Sequence, residues 1–396
     1  MAAAVGPGSG STRSTLRGMY WIGLMSGTSA DAIDAALVEW PDDARTRPFR
    51  LVAYRETPLA AGLQARIHAL AADAGGRGAL RELAALHAEL GDAFGAAARE
   101  LIEEAPPGLG PVTGVASHGQ TVAHHPDLGA TLQIGDPARI AERSGLDVVS
   151  DFRARDLAVG GEGAPLAPFF HHAVLAARDE NRLILNLGGI ANLTWLPAGC
   201  PPEAVQAFDV GPANVLLDEV VRIDSEGRQQ MDRGGVLAGR GRVHAETLER
   251  LLDDDFLRRP PPKSTGRERY GSEMAQALVA GWRQQERPVE DLLATLVAFT
   301  AAALGRAAKT WLEGGVVERV LLGGGGAANP TLRAALAEVF DPAPCEVLDR
   351  GGVPAAAAEA MAFSLMGRNA LLGIPNHLPQ VTGAAGPRVL GSLTRA

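Results

Sequence analysis

The chain has 396 residues, of which 46% are hydrophobic and 21% charged, with a net charge of −9. That length exceeds what one hydrophobic core usually serves, so two domains are expected, and the composition excludes an intrinsically disordered chain. The acidic balance excludes a broad nucleic-acid or membrane-surface footprint, while Cys200 and Cys345 make neither a disulfide framework nor a metal pattern, which fits a reducing cytosol.

The opening MAAAVGPGSGSTRSTLRG is Gly/Ser/Ala-rich without an apolar core, so residues 1–19 are expected to be a disordered extension. GLMSGTSADAIDAALVEW (Gly23–Trp40) follows as two buried strands joined by a polar turn. A turn alone needs a glycine and an aspartate at most. This one carries Gly27, Thr28, Ser29, Ala30, Asp31, Ala32, Ile33 and Asp34, enough donors and carboxylates to meet a phosphate and its metal. In Leu63–Glu104, the run LRELAALHAELGDAFGAAARELIEE places Leu83, Leu86, Leu90 and Phe94 at helical spacing, which predicts one long amphipathic helix with His87 on its face. PVTGVASHGQTVAHHP predicts a strand and a polar turn. ARIAERSGLDVVSDFRARDLAVGG predicts a helix, a strand through Val148 and Val149, and a loop rich in arginine and glycine.

From Arg182 the grammar of the opening hairpin repeats. RLILNLGGIANLTWLP is a strand, a Gly188-Gly189 turn and a return strand with Asn186, Asn192 and Thr194 beside it. FDVGPANVLLDEVV reads as an acidic loop, with Asp209 at a strand end, leading into a helix. DLLATLVAFTAAALGRAAKTWLE is a further helix, and VERVLLGGGGAANPTLRAALAEVF is a strand, a turn of Gly323 to Gly326 and a helix opened near Asn329. Strands alternating with helices predict an α/β layer structure, and a polar hairpin opening each half points to a duplicated architecture. No uninterrupted apolar run approaches the ~20 residues that span a bilayer.

Several stretches carry candidate chemistry. Four successive glycines leave room for close ligand approach, although neither a Walker nor a dinucleotide fingerprint completes them. Asp209 lies where open α/β sheets keep catalytic acids, with helix capping as the alternative role. His118 and Gln120 are candidates for sugar hydroxyls, while His124 and His125 have no recognised metal spacing. SDFRARDLAVGGEGAP brings Asp151, Arg153, Arg155, Asp156 and Glu162 around flexible glycines, a substrate-facing composition. PPPKSTGRERY offers Lys263, Ser264 and Thr265 either to a ligand or to solvent. A Ser/His/Asp hydrolase is excluded, because no Gly-x-Ser-x-Gly elbow exists.

Together the two hairpins, the acidic loop and the late glycine turn resemble the actin/hexokinase/Hsp70 superfamily. More closely, GLMSGTSADAID, SHGQTVAHHP, LQIGDPARIAERSGLDVVSDFRARDLAVGGEGAPL, LNLGGIANLT, FDVGPAN, PPPKSTGRE, GGGGAANP and VTGAAGPRVLG resemble, in order, the anhydro-N-acetylmuramic acid kinase family. That resemblance implies a duplicated ribonuclease-H-like fold with a central cleft, a first domain over 20–180 and a second over 181–396, the carboxyl-terminal tail returning to the first. It implies an enzyme of peptidoglycan recycling in the cytoplasm that uses ATP and Mg²⁺ on an anhydro-amino-sugar, binds neither nucleic acid nor membrane, and forms a homodimer. Carried over by motif, Gly27–Asp34, Gly188, Gly189, Asn192, Gly323–Gly326 and Asn329 hold ATP, with Asp31 and Asp34 reaching the metal through water. Asp209 is the general base, and His118, Gln120, Asp151, Arg153, Arg155 and Glu359 face the sugar. A kinase for another anhydrosugar such as levoglucosan, or a non-catalytic sensor on the same fold, would share most of these motifs. Ala32 and Val210 depart from the family's usual glycine and small hydroxyl residue.

Overall fold

The computed structural model describes residues 18–396 except 28, 61, 73–75, 77, 350 and 351. The extension expected at the amino terminus therefore lies outside the described residues up to 17, and the first strand already begins at Gly18. Strands β1 (Gly18–Met25), β2 (Ala32–Pro41) and β3 (Arg50–Pro58) form an antiparallel meander. β4 (Val112–Ser117) runs parallel to β1. β5 (Gln120–His125) and β6 (Ala130–Ile134) make a separate antiparallel ribbon, and β7 (Val148–Ser150) rejoins the first sheet parallel to β4.

The second sheet repeats this plan. β8 (Arg182–Leu187), β9 (Ile190–Leu196) and β10 (Gln206–Pro212) are antiparallel, while β11 (Arg319–Gly323) and β12 (Cys345–Val347) add in parallel beside β8. The sheet orders are β3-β2-β1-β4-β7 and β10-β9-β8-β11-β12, the same arrangement twice. The duplicated ribonuclease-H-like architecture follows from that topology. A last strand, β13 (Ser392–Thr394), pairs antiparallel with β7, and the helix Ala358–Leu372 packs on β1, β2 and β4. The helix Ala358–Leu372 and β13 thus lie against the first sheet, while Pro379–Thr382 between them contacts β10 of the second.

Alternation along the strands fixes which face goes where. Ile22, Leu24, Ile33, Ala35 and Leu37 pack against the helix Ala79–Glu103, whose Leu86, Leu90 and Phe94 are the buried positions of its apolar stripe. The segment from Leu63 holds two helices, Leu63–Ala72 and Ala79–Glu103, and His87 is structural: its Nδ1 accepts the Gly135 N–H at 3.1 Å. The opposite face of the first sheet (Trp21, Val38, Trp40) shares one core with Ile184 and Leu321 of the second and with Met361 and Leu365 between them. The outer face of the second sheet buries Leu185, Leu193, Phe208 and Val210 under the helices Asn214–Asp224 and Val289–Trp311. The latter is apolar and long enough to cross a membrane, yet 67% of its apolar window is buried in this core. β1 approaches the central helix so closely that a Cβ on Gly23 would stand 1.8 Å from the Ala360 carbonyl oxygen.

Candidate active site

The first polar turn lies between β1 and β2, with Met25 paired to Asp34 across its mouth. Ala30 takes the left-handed conformation (φ 50) and closes the turn on the Gly27 carbonyl. Ala32, which looked anomalous where glycine is usual, is the first residue of β2, so the strain falls on Ala30 instead. The Gly27 carbonyl also accepts from Gln120 Nε2 at 3.1 Å, and the Ser29 carbonyl from Gln64 Nε2 at 2.7 Å. The Asp31 carbonyl accepts the Leu59 N–H. Holding these three oxygens on protein donors suits a turn that receives an anion, because free carbonyl oxygens would repel it. Thr28 lies outside the described residues. Asp31 is exposed and accepts from Ser29 Oγ, whereas half-buried Asp34 accepts from the Tyr54 hydroxyl at 2.6 Å. Burial pushes the Asp34 carboxyl upward; Tyr54 opposes this, and Glu56 and Asp31 add to it.

The second turn, Gly188-Gly189, joins β8 to β9 and gives its carbonyls to the N–H groups of Ala213, Asn214 and Val215. It abuts the late glycine turn: a Cβ on Gly324 (φ 74) would stand 2.5 Å from Asn186 Oδ1, and one on Gly326 2.8 Å from Leu187 Cβ. Only glycine allows that approach. Gly325 instead borders open space, Gly323 makes ordinary contacts, and Asn329 Oδ1 caps the following helix through Thr331 and Leu332.

Asp209, expected at a strand end, lies within β10, which continues past it through Pro212, opposite Asn192 and beside a register shift before Gly211. Such a bulge re-aims a side chain next to a site. The Asp209 N–H donates to the Lys263 carbonyl (3.1 Å), and its carboxylate accepts the Thr265 N–H at 3.0 Å. Burial drives this carboxyl up to about 6 against the Thr265 bond, with Glu162 and Glu268 adding to the rise and Lys263 opposing it. Glu162 faces it from the glycine loop of the first half and accepts from Ser264 Oγ at 3.2 Å.

Arg153 supplies positive charge on the same side. Its Nε donates to His118 Nε2 at 2.9 Å and its guanidinium to the Gly163 carbonyl at 2.7 Å. Burial lowers its pKa to about 10, the carboxylates of Glu359 and Asp156 pulling back. Glu359 keeps an exposed surface, yet the protein around its carboxyl raises its pKa by desolvation; Asp34 adds to the rise and Arg153 opposes it. Asp34, Glu359 and Arg153 therefore share one electrostatic neighbourhood.

Three of the side chains expected to face the sugar have protein partners. Gln120 is buried, and its carboxamide is engaged by Ser26 Oγ (2.8 Å) and the Gly27 carbonyl, so it braces the first turn. Both ring nitrogens of buried His118 are used: Nδ1 donates to the Gly119 carbonyl and Nε2 accepts from Arg153, with the ring against Phe363, so it orients Arg153. Burial holds its pKa well below the usual value, Arg153 adding to the fall. Arg155 ties the Val389 carbonyl at 2.8 Å. Asp151 is exposed with φ 58. Lys263 is buried, its Nζ bonded to the carbonyls of Phe256 and Leu257. Asp156, named with the substrate-facing charges of its loop, instead pairs with His377 and braces that loop; His377 was not among the expected site residues.

Two ribonuclease-H-like halves, a polar turn between the first two strands of each, a late glycine turn and a half-buried strand carboxyl define a sugar-kinase-like phosphotransferase. The family model described as anhydro-N-acetylmuramic acid kinase matches residues 19–396. Proteins of that name from Gloeobacter violaceus and Xanthomonas campestris pv. campestris are 43% and 44% identical, each over 94% of this chain and over 97% and 96% of their own. The chain belongs to the anhydro-N-acetylmuramic acid kinase family and is a kinase. Among solved structures it is similar to a ROK family glucokinase from Streptomyces griseus in complex with glucose and AMPPNP, at 13% identity over 88% of this chain and 100% of that one, TM-score 0.37. It is also similar to component A of (R)-2-hydroxyglutaryl-CoA dehydratase from Acidaminococcus fermentans, at 14% identity over 87% and 98%, TM-score 0.43.

Proposed function

We propose that the chain opens the 1,6-anhydro ring of 1,6-anhydro-N-acetylmuramic acid with water while ATP phosphorylates O6, giving N-acetylmuramic acid 6-phosphate and ADP in peptidoglycan recycling. The observation that carries this reading is Asp209, whose desolvated carboxyl accepts the Thr265 N–H while its backbone N–H is held by the Lys263 carbonyl. Water attacks the anomeric carbon, and Asp209 takes its proton. The C1–O6 bond breaks as O6 accepts the γ-phosphoryl group, which makes the otherwise poor leaving group viable and releases ADP. Gly27–Asp34, Gly188, Gly189 and Asn192 line the phosphate side in this reading, with Gly323–Gly326 and Asn329 on the adenosine side.

Mg²⁺ belongs to the same reading. No group of three or more His, Cys, Asp or Glu suited to a metal exists among the described residues. Asp31 and Asp34 at the first turn fit an ion held mainly by phosphate oxygens and water, the habit of Mg²⁺. When bound, it neutralises phosphate charge. The resemblance adds a cytoplasmic location and a homodimer.

Incubation with Mg-ATP and the anhydrosugar in ¹⁸O-labelled water should give ADP and label at the anomeric hydroxyl. Unlabelled product, or ATP turnover indifferent to sugar, overturns the reading. Arg153→Met should raise the sugar KM by roughly 10- to 100-fold with a smaller change in kcat, since charged hydrogen bonds contribute about 1.5–3 kcal/mol. Initial-rate kinetics in sugar at saturating ATP measure it.

A further inference from the structure

Lys263 is one of only two lysines in the chain, with Lys309. It is buried at 8% exposure, its Nζ 3.1 Å from the Phe256 carbonyl oxygen and 3.3 Å from that of Leu257. The ammonium also lies 4.7 Å from the Phe256 ring centroid and 5.8 Å from that of Phe208, the residue before Asp209. A cation on carbonyls and ring faces in a desolvated site is held by both interactions. Burial pulls its pKa down to about 8, Asp254 and Asp209 acting upward and Arg259 downward.

The same residue touches Asp209 through its backbone. The Lys263 carbonyl receives the Asp209 N–H, and two residues on, the Thr265 N–H holds the carboxylate. Behind the strand, on the Val210 side, lies a cavity of about 300 Å³ lined by Val210, Leu252, Leu257, Lys263, Ala303 and Arg306. The departure at Val210 thus presents a methyl surface to that cavity.

We propose that Lys263 is the positioning residue of Asp209, its ammonium pinning the loop from behind, and that the adjoining cavity admits a small primary ammonium ion in its place. The inference rests on Asp209 being the base. Displacing a catalytic group by about 1 Å can cost on the order of 10²-fold. Losing the ammonium frees the loop while Asp209 itself remains.

The test is ADP release with saturating Mg-ATP and sugar in Lys263→Ala, Asp209→Asn and the double variant, with and without propylammonium. Lys263→Ala should lose about 10- to 100-fold in kcat with little change in KM, as misplacement of the base requires. Propylammonium should restore part of that loss; tetramethylammonium, which has no N–H, should not. In the Asp209→Asn background, Lys263→Ala should cost nothing further and the amine should do nothing. Lys263→Met keeps the stem against the rings and serves if the alanine variant does not fold; it should show the same kcat loss without rescue. An unchanged kcat, a loss undiminished in the double variant, or a folded alanine variant indifferent to propylammonium overturns the proposal. If Asp209→Asn alone leaves turnover intact, it is the base assignment that fails.

Discussion

Asp209→Asn is expected to lower kcat by on the order of 10²–10⁴-fold, the range a positioned general base contributes. The substitution keeps an oxygen for the Thr265 N–H, so the loop retains its bond while the proton acceptor is lost. Stability should not fall with activity. Burial raises this carboxyl to about 6, above the ordinary value near 3.9 in an unfolded chain. The folded state therefore binds the proton more tightly, and ionised Asp209 disfavours folding once pH rises past both values. At pH 7.5 the asparagine variant should melt at or above the wild-type temperature. In the wild type, kcat/KM should decline below about pH 6 as the base becomes protonated, and the variant should lack that limb. Retained turnover, or a variant that is inactive only because it unfolds, would sink the assignment.

The sheets were legible because burial imposes a period of two on strands and a period near 3.6 on helices, and runs such as RLILNL and LRELAALHAEL carry those periods openly. The glycine turns were legible for a similar reason: only glycine permits the approach of Gly324 and Gly326 to the second hairpin. Partners were not legible. Gln120 and His118 have the right groups for sugar hydroxyls, but those groups meet Ser26, which is 94 positions from Gln120, and Arg153. Residue type states what a side chain can bond, while the fold decides what reaches it. Lys263 shows the same limit: a basic residue in a polar loop looks ligand-facing until the chain bends and two aromatic rings close over it. FDVGPAN looked like a loop because Gly-Pro usually ends a strand, yet a bulge lets β10 continue through Pro212.

Asp156 is the sharpest case of a contact that sequence distance hides, and its loss should carry the largest stability cost. Fully buried, it accepts the Gly163 N–H at 2.7 Å and the Thr382 hydroxyl at 2.7 Å, and stands 2.7 Å from His377 Nδ1. His377 Nε2 in turn accepts the Arg388 N–H, so the carboxyl-terminal segment is fastened to the loop that presents Glu162 and receives Arg153. Asp156→Ala strands three buried donors at once, and breaking a buried charged cluster costs about 3–5 kcal/mol. Urea denaturation at pH 7 should show that loss as a lower midpoint. The pH dependence gives a second reading. Burial pushes the Asp156 carboxyl upward, but the bonds from His377, Thr382 and Gly163 outweigh it and hold the group below its ordinary value. A depressed folded pKa means that the contribution is present above about 3.9 and fades as pH falls through the folded value. The gap between wild type and Asp156→Asn should therefore be widest near neutrality and narrow toward pH 3. A gap that does not change with pH would show that the charge does not hold the loop. Because the same loop faces Asp209 and holds Arg153 through the Gly163 carbonyl, the proposed function predicts that the asparagine variant also raises the sugar KM under conditions where it remains folded.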